Sequence, residues 1–257
     1  MKLKLNWVPN ALSLGNLTLG FVSILIASEV SATNPNNSQI FLLSGIFIIL
    51  AALFDGFDGM AARALNATSA LGAELDTLAD LTTFGIAPGY LTYKMILENF
   101  KFDFFGTGEL FPYGMLVASI FPICAAYRLA RFTVAHDPAS FTGLPSPIAG
   151  VIVGLFPVAF PQNTFSTYFT IPSFIIVALL MVSKIRYSKP QVAIRGKFTK
   201  GRMLIILIGF AILFFFLGLA KAPFVMYGLL VFYVSSGIIS LIIQFIQDFY
   251  PDSDDKE

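Results

Sequence analysis

The sequence predicts an all-α integral membrane protein, a polytopic helical bundle of about eight transmembrane helices, because apolar runs recur at the roughly 17–25 residues that a crossing needs. Composition agrees. Of 257 residues, 56% are hydrophobic and 12% charged, with a mean hydropathy of +0.79, whereas soluble domains carry about 25% charged residues. A third observation concerns function. Four aspartates, Asp55, Asp58, Asp76 and Asp80, stand within this apolar sequence, and each costs roughly 2.5–3.5 kcal/mol at mid-membrane depth unless something compensates it.

The elements follow in order. Leu3 to Val8, with Trp7 and two lysines nearby, suits an interfacial lead-in, since an indole and lysines favour the headgroup level. Pro9 to Ser28 is the first span, expected to be a retained helix because no small-residue cleavage site follows the lysines. Glu29 to Ser38 is a polar turn, and Gln39 to about Arg63 is the second span, carrying the first aspartate pair. Ala64 to Leu71 contains Asn66, Thr68 and Ser69 and reads as a tight connection that returns the chain antiparallel. Leu71 to Leu97 is the third span, Glu98 to Leu110 a charged loop, and Phe111 to Leu129 the fourth span. After a polar loop from His136 to Pro147, a fifth span ends at Phe160 and a sixth runs from Tyr168 to Ser183. Met203 to Leu219 and Phe224 to Ile246 are the seventh and eighth. The expected organisation is a core over 1–190, a C-terminal helical pair over 191–247 and an acidic tail over 248–257.

Charge sets the orientation and excludes some functions. Seven of the sixteen Lys and Arg lie between Lys184 and Arg202, while 29–38 and 161–167 hold none, so the 184–202 loop is expected in the cytoplasm. With eight spans, the 64–70 turn and the aspartates beside it face the same side. A net charge of +1 excludes a polybasic nucleic-acid binder. One cysteine, Cys124, and one histidine, His136, give no zinc or haem pattern.

Spacing gives the aspartates a purpose. Asp55 and Asp58 are three apart and Asp76 and Asp80 four apart, so each pair occupies one helix face, and the intervening turn brings the faces together. The single basic residue of the stretch, Arg63, cannot neutralise four carboxylates. Converging oxygen ligands suit a hard divalent cation, Mg²⁺ or Mn²⁺, which keeps open positions for substrate phosphates. Gly56, Gly59, Ala61, Ala62 and Gly72 leave room beside them, and Arg63 can meet an anion.

The run Asp55-x2-Asp58-Gly59-x2-Ala62-Arg63-x8-Gly72-x3-Asp76-x3-Asp80 resembles the complete signature of the CDP-alcohol phosphotransferases. These membrane enzymes move a phosphatidyl group from a CDP-activated lipid to a small alcohol. The stretch Pro9-Asn10-Ala11-Leu12-Ser13-Leu14-Gly15-Asn16 resembles the start of the phosphatidylserine synthase branch. Close packing by small residues and interhelical Asn bonds would also explain it; on the functional reading, Asn10, Ser13 or Asn16 helps to form the nucleotide or metal pocket.

Tyr127-Arg128-Leu129-Ala130-Arg131-Phe132, Gly143-Leu144-Pro145-Ser146-Pro147 and Lys184-Ile185-Arg186-Tyr187 resemble the same branch, with Thr133 where that branch usually has Asn. Arg128 and Arg131 share a helix face and could anchor the span by charge or grip a phosphate or carboxylate.

The resemblance implies CDP-diacylglycerol and L-serine as substrates, CMP as product, two Mg²⁺ or Mn²⁺ ions, a homodimer, and a bacterial inner membrane with the site facing the cytoplasm. It implies that Asp55, Asp58, Asp76 and Asp80 ligate metal and that Asp80 is the general base. Gly59, Ala62, Arg63, Gly72 and Asn16 would bind nucleotide or phosphate. Arg128, Arg131, Lys184 and Arg186 would bind the lipid phosphate or the serine carboxylate. Sister enzymes using glycerol phosphate, inositol phosphate or choline share the motif, so the motif alone leaves the acceptor open. A cation or proton transporter would use the aspartates but leaves Gly59, Ala62, Arg63 and Gly72 unexplained.

Overall fold

The computed structural model describes residues 7–31, 34, 36–103, 106, 110–135, 141–161, 167–183, 185–187 and 221–249. Helices dominate it: α1 (Trp7–Ser28), α2 (Asn37–Ala64), α3 (Ala70–Leu81), α4 (Ala87–Thr92), α5 (Gly114–Ala135), α6 (Ser146–Ala159), α7 (Thr167–Val182) and α8 (Ala222–Phe249). Among the described residues, four helices are long and apolar enough to cross a membrane, within α1, α2, α5 and α8, whereas α6 and α7 are shorter. The expected seventh span, the 184–202 loop apart from 185–187, and the acidic tail beyond Phe249 lie outside the described residues.

Several expectations need correction. Trp7 and Val8 are not a separate lead-in but the first residues of α1. The fourth crossing starts at Gly114, because Phe111 instead exchanges backbone hydrogen bonds with Phe102. The expected helical bundle itself stands, and beside it one short pairing sets β1 (Phe141–Thr142) antiparallel to β2 (Arg186–Tyr187).

The third span is continuous only in a loose sense. Between α3 and α4 lies a π turn, Thr82–Ile86, and a second one, Tyr93–Leu97, follows α4. Pro88 accounts for the first: it has no N–H for the carbonyl four residues back and its ring crowds that carbonyl, so the preceding turn widens.

This α3–α4 run is the axis of the bundle. In the first π turn Thr83, Phe84 and Gly85 are all buried, and each faces a different neighbour. Thr83 meets α1 at Gly20, Phe84 meets α6 at Gly150, and Gly85 meets α5 at Ala125 and Pro122. One apolar cluster, Ala27, Ile48, Phe84, Ala87 and Leu91, ties the run to α1 and α2. Another joins α5, α6, α7 and α8, with Phe121 stacked on Phe174 at 5.0 Å and Val234 supplied by α8. The C-terminal helix thus shares a hydrophobic core with the residues before 190.

Helices α2 and α6 touch backbone to backbone. A Cβ on Gly45 would stand 2.1 Å from the Gly154 carbonyl oxygen, so only glycine permits this crossing. On the other side of α2, Ser23 and Ser44 each donate to the other's backbone carbonyl at 3.0 Å, fixing the register of α1 against α2.

Candidate active site

The site starts with a turn. Helix α2 ends in a Schellman motif: Asn66 takes the left-handed conformation at φ 48°, Ala67 N–H donates to the Ala62 carbonyl at 3.0 Å, and Asn66 N–H donates to the Arg63 carbonyl at 3.4 Å. Asparagine tolerates this conformation better than other residues with a Cβ. Three residues later Ser69 caps α3, its hydroxyl accepting from Gly72 N–H at 3.0 Å. Stop signal and start signal sit back to back, so α2 and α3 leave the turn antiparallel.

That reversal matches the aspartates in height. Asp55 and Asp80 lie about equally far from the turn, as do Asp58 and Asp76, because both helices climb at about 1.5 Å per residue. One carboxylate oxygen each from Asp55, Asp76 and Asp80 lie within 4.8 Å of one another. Asp58 stands outside this close group: it is buried, and Ser13 on α1 donates to its Oδ2 at 2.8 Å. Asp80 is buried and receives Asn16 Nδ2 at 3.4 Å. Helix α1 is therefore the third wall of the site.

The donor set fits a divalent cation. Among the described residues Asp76 Oδ1 is buried without a hydrogen-bond partner, as are Asn10 Oδ1 and Asn16 Oδ1. Buried acceptors rarely go unsatisfied in native proteins. Three carboxylates held this close repel one another, and a cation or a shared proton between them relieves it. Asp55, Asp76 and Asp80 could hold a metal ion, and hard cations take such oxygens.

Beside the carboxylates a cleft of about 160 Å³ opens between α1, the end of α2, the 67–69 turn and α3. Asp58, Gly59, Ala62, Gly72 and Asp76 line it, together with Asn10 and Ser13. Beyond Gly59 the space is open, its nearest neighbour being the Arg63 guanidinium at 3.9 Å from where a Cβ would sit. Gly72 is different. A Cβ there would stand 2.8 Å from Asn10 Oδ1 and 3.1 Å from Ser69 Oγ. Ala67, Thr68 and Ser69 also line the cleft; by sequence they read only as turn residues, although the hydroxyls of Thr68 and Ser69 were a usable signal.

The arginines divide. Arg128 is buried, its guanidinium donates to the hydroxyl of the fully buried Ser146, and it interacts electrostatically with Asp55 and Asp80. No role for Ser146 follows from the sequence; its place in Gly-Leu-Pro-Ser-Pro was the available signal. Arg131 points elsewhere, donating to the backbone carbonyls of Val182 at 3.1 Å and Ser183 at 3.4 Å at the end of α7. Lys184 lies outside the described residues, and Arg186 enters the description through its backbone in β2.

The chain is similar in sequence to known proteins. The family model for CDP-alcohol phosphatidyltransferase matches residues 6–186. A Helicobacter pylori CDP-diacylglycerol–serine O-phosphatidyltransferase is 35% identical over 186 residues, covering 70% of each chain. The Bacillus subtilis protein of that name is 33% identical over 184 residues, 71% of this chain and 90% of its own. An archaetidylserine synthase from Methanothermobacter thermautotrophicus is 30% identical over 185 residues, 71% of this chain and 70% of its own.

Proposed function

The chain belongs to the CDP-alcohol phosphatidyltransferase family, and from that premise we propose that it transfers the phosphatidyl group of CDP-diacylglycerol to L-serine, releasing CMP. The observation that carries this reading is the Asp55, Asp76 and Asp80 cluster bordering a cleft between apolar helices, in a chain whose relatives bear a serine phosphatidyltransferase name.

Asp80 takes the proton of the serine hydroxyl. As that oxygen bonds to the lipid phosphorus, the bond from phosphorus to the CMP oxygen breaks, and CMP leaves with the electron pair. Asp55, Asp76 and Asp80, with Asp58 alongside, would hold Mg²⁺ or Mn²⁺, two ions being the expectation from the motif. When bound, such ions neutralise the pyrophosphate and polarise the phosphoryl group under attack. Asn10, Ser13, Gly59, Ala62 and Gly72 shape the cleft for the cytidine diphosphate, and Arg63 meets a phosphate at its rim. Arg128, preorganised by Ser146, offers a charged fork to the lipid phosphate or the serine carboxylate. Arg131, Lys184 and Arg186 keep that segment basic, Arg131 by holding the end of α7.

The apolar helices make this an integral membrane protein. We place the site at the cytoplasmic face of a bacterial inner membrane, on the charge bias of the 184–202 loop. The transferase is assigned to 1–190, with 191–247 as a helical pair, and is proposed to act as a homodimer, which light scattering in detergent would check.

The test is CMP release from CDP-diacylglycerol by the purified full-length protein in mixed micelles. Release should need serine, stop on chelation, and return with Mn²⁺ or Mg²⁺. Release driven by glycerol phosphate, inositol phosphate or choline, and not by serine, overturns the acceptor; metal-independent release overturns the assignment of the aspartates.

A further inference from the structure

Among the described residues, Asn16 is one of three with a buried side-chain acceptor that has no partner, beside Asn10 and Asp76. It is fully buried, and both its backbone carbonyl and its side-chain NH₂ are committed. Its backbone carbonyl accepts from Thr83 Oγ1 at 3.0 Å, and its Nδ2 donates to Asp80 Oδ1 at 3.4 Å. The amide orientation follows from its neighbour, since only the NH₂ end can face a carboxylate. That leaves Oδ1, buried and without a partner among the described residues.

An amide oxygen only accepts. Phosphate and carboxylate oxygens are therefore wrong partners for it, and the expectation that Asn16 binds phosphate does not suit the atom it has free. Three groups in the proposed reaction could satisfy it: a metal ion, the exocyclic amine of cytosine, or the ammonium of the acceptor. The nucleotide cleft is lined on α1 by Pro9, Asn10 and Ser13, and Asn16 is not among its lining residues. The unpartnered acceptor in that cleft is Asn10 Oδ1. The carboxylates that fit a metal are those of Asp55, Asp76 and Asp80, and toward Asp80 Asn16 presents its NH₂ end, not its oxygen. Asn16 adjoins the carboxylate assigned to the acceptor's hydroxyl. An amino alcohol carries its ammonium one carbon from the carbon bearing the hydroxyl, so a base and a neutral acceptor side by side match both groups.

We propose that Asn16 Oδ1 accepts a hydrogen bond from the ammonium group of the acceptor, making Asn16 the residue by which this site selects an amino alcohol. The proposal rests on the serine phosphatidyltransferase reading. Its neighbours hold it in place: Thr83 fixes the backbone of α1 at this level, and Gly20 one turn further on has no side chain to keep the two helices apart.

The experiment measures CMP release by wild type and Asn16→Ala in mixed micelles with Mn²⁺, using L-serine and 3-hydroxypropanoate, the same acceptor without its amine. Hydrogen bonds to charged groups predict that the variant raises the KM for serine about tenfold or more. The preference for serine over 3-hydroxypropanoate should shrink by a similar factor, while the KM for CDP-diacylglycerol and Mn²⁺ affinity by electron paramagnetic resonance stay within about twofold. A variant that keeps wild-type discrimination overturns the proposal, as does one whose main loss is in CDP-diacylglycerol KM or in Mn²⁺ affinity. If Asn16→Ala unfolds in detergent, Asn16→Ser, whose shorter side chain withdraws the acceptor from the ammonium, is compared in the same way, and the same results support or overturn the proposal. Wild type that releases no CMP with serine refutes the underlying reading instead.

Discussion

Gly20→Ala tests how the bundle positions its carboxylates. A Cβ at Gly20 would stand 2.2 Å from Thr83 Oγ1 and 2.8 Å from Thr83 Cα, where ordinary contact begins at 3.4 Å. The hydroxyl could rotate away, at the cost of its bond to the Asn16 carbonyl, but Cα is backbone and cannot. Helix α1 must then separate from the π turn by about half an ångström or more, at an overpacking cost of about 1–3 kcal/mol. That displacement also draws Asn16 off Asp80 and Ser13 off Asp58, since both sit on the same helix. Misplacement of about 1 Å can cost on the order of a hundredfold in rate, so kcat for CMP release should fall between about tenfold and a hundredfold. Thermal unfolding in detergent, run in parallel, should show the lower stability. Gly228→Ala is the control, because open space surrounds Gly228. Wild-type kcat and unfolding temperature in Gly20→Ala would refute the claim that the α1–π-turn contact holds the site.

Three further outcomes are expected. Asp80→Asn removes the proposed base and should cut CMP release by on the order of a hundredfold to ten-thousandfold, while CDP-diacylglycerol binding remains measurable by equilibrium dialysis; near-normal turnover would remove Asp80 from that role. Ser69→Ala removes the cap of α3 and should cost about 0.5–2 kcal/mol by chemical denaturation in detergent, with an unchanged value showing that the cap adds nothing. Arg131→Lys replaces a fork with a point charge at the Val182 and Ser183 carbonyls. It should cost about 1–2 kcal/mol of stability, with little change in CDP-diacylglycerol or serine KM; a large rise in either KM at unchanged stability would return Arg131 to substrate binding.

What the sequence determined by itself is what depends on local spacing and on the solvent. Apolar runs must be helices, because lipid offers their backbone groups no other partner. Asp55, Asp58, Asp76 and Asp80, spaced at helical intervals around Asn66 and Ser69, disclosed both the faces and the reversal between them. Tertiary structure decided the rest. That three carboxylates close up while Asp58 turns to Ser13, that Arg128 faces the cluster while Arg131 holds the end of α7, and that Asn16 is left with one unmet acceptor all depend on how α1, α5 and α7 sit around the α3–α4 run. Those placements are set by contacts between residues far apart in the chain, such as Gly20 on Thr83 and Gly45 on Gly154. Helical periodicity names the face a residue occupies; which partner meets that face is settled only when the backbones touch.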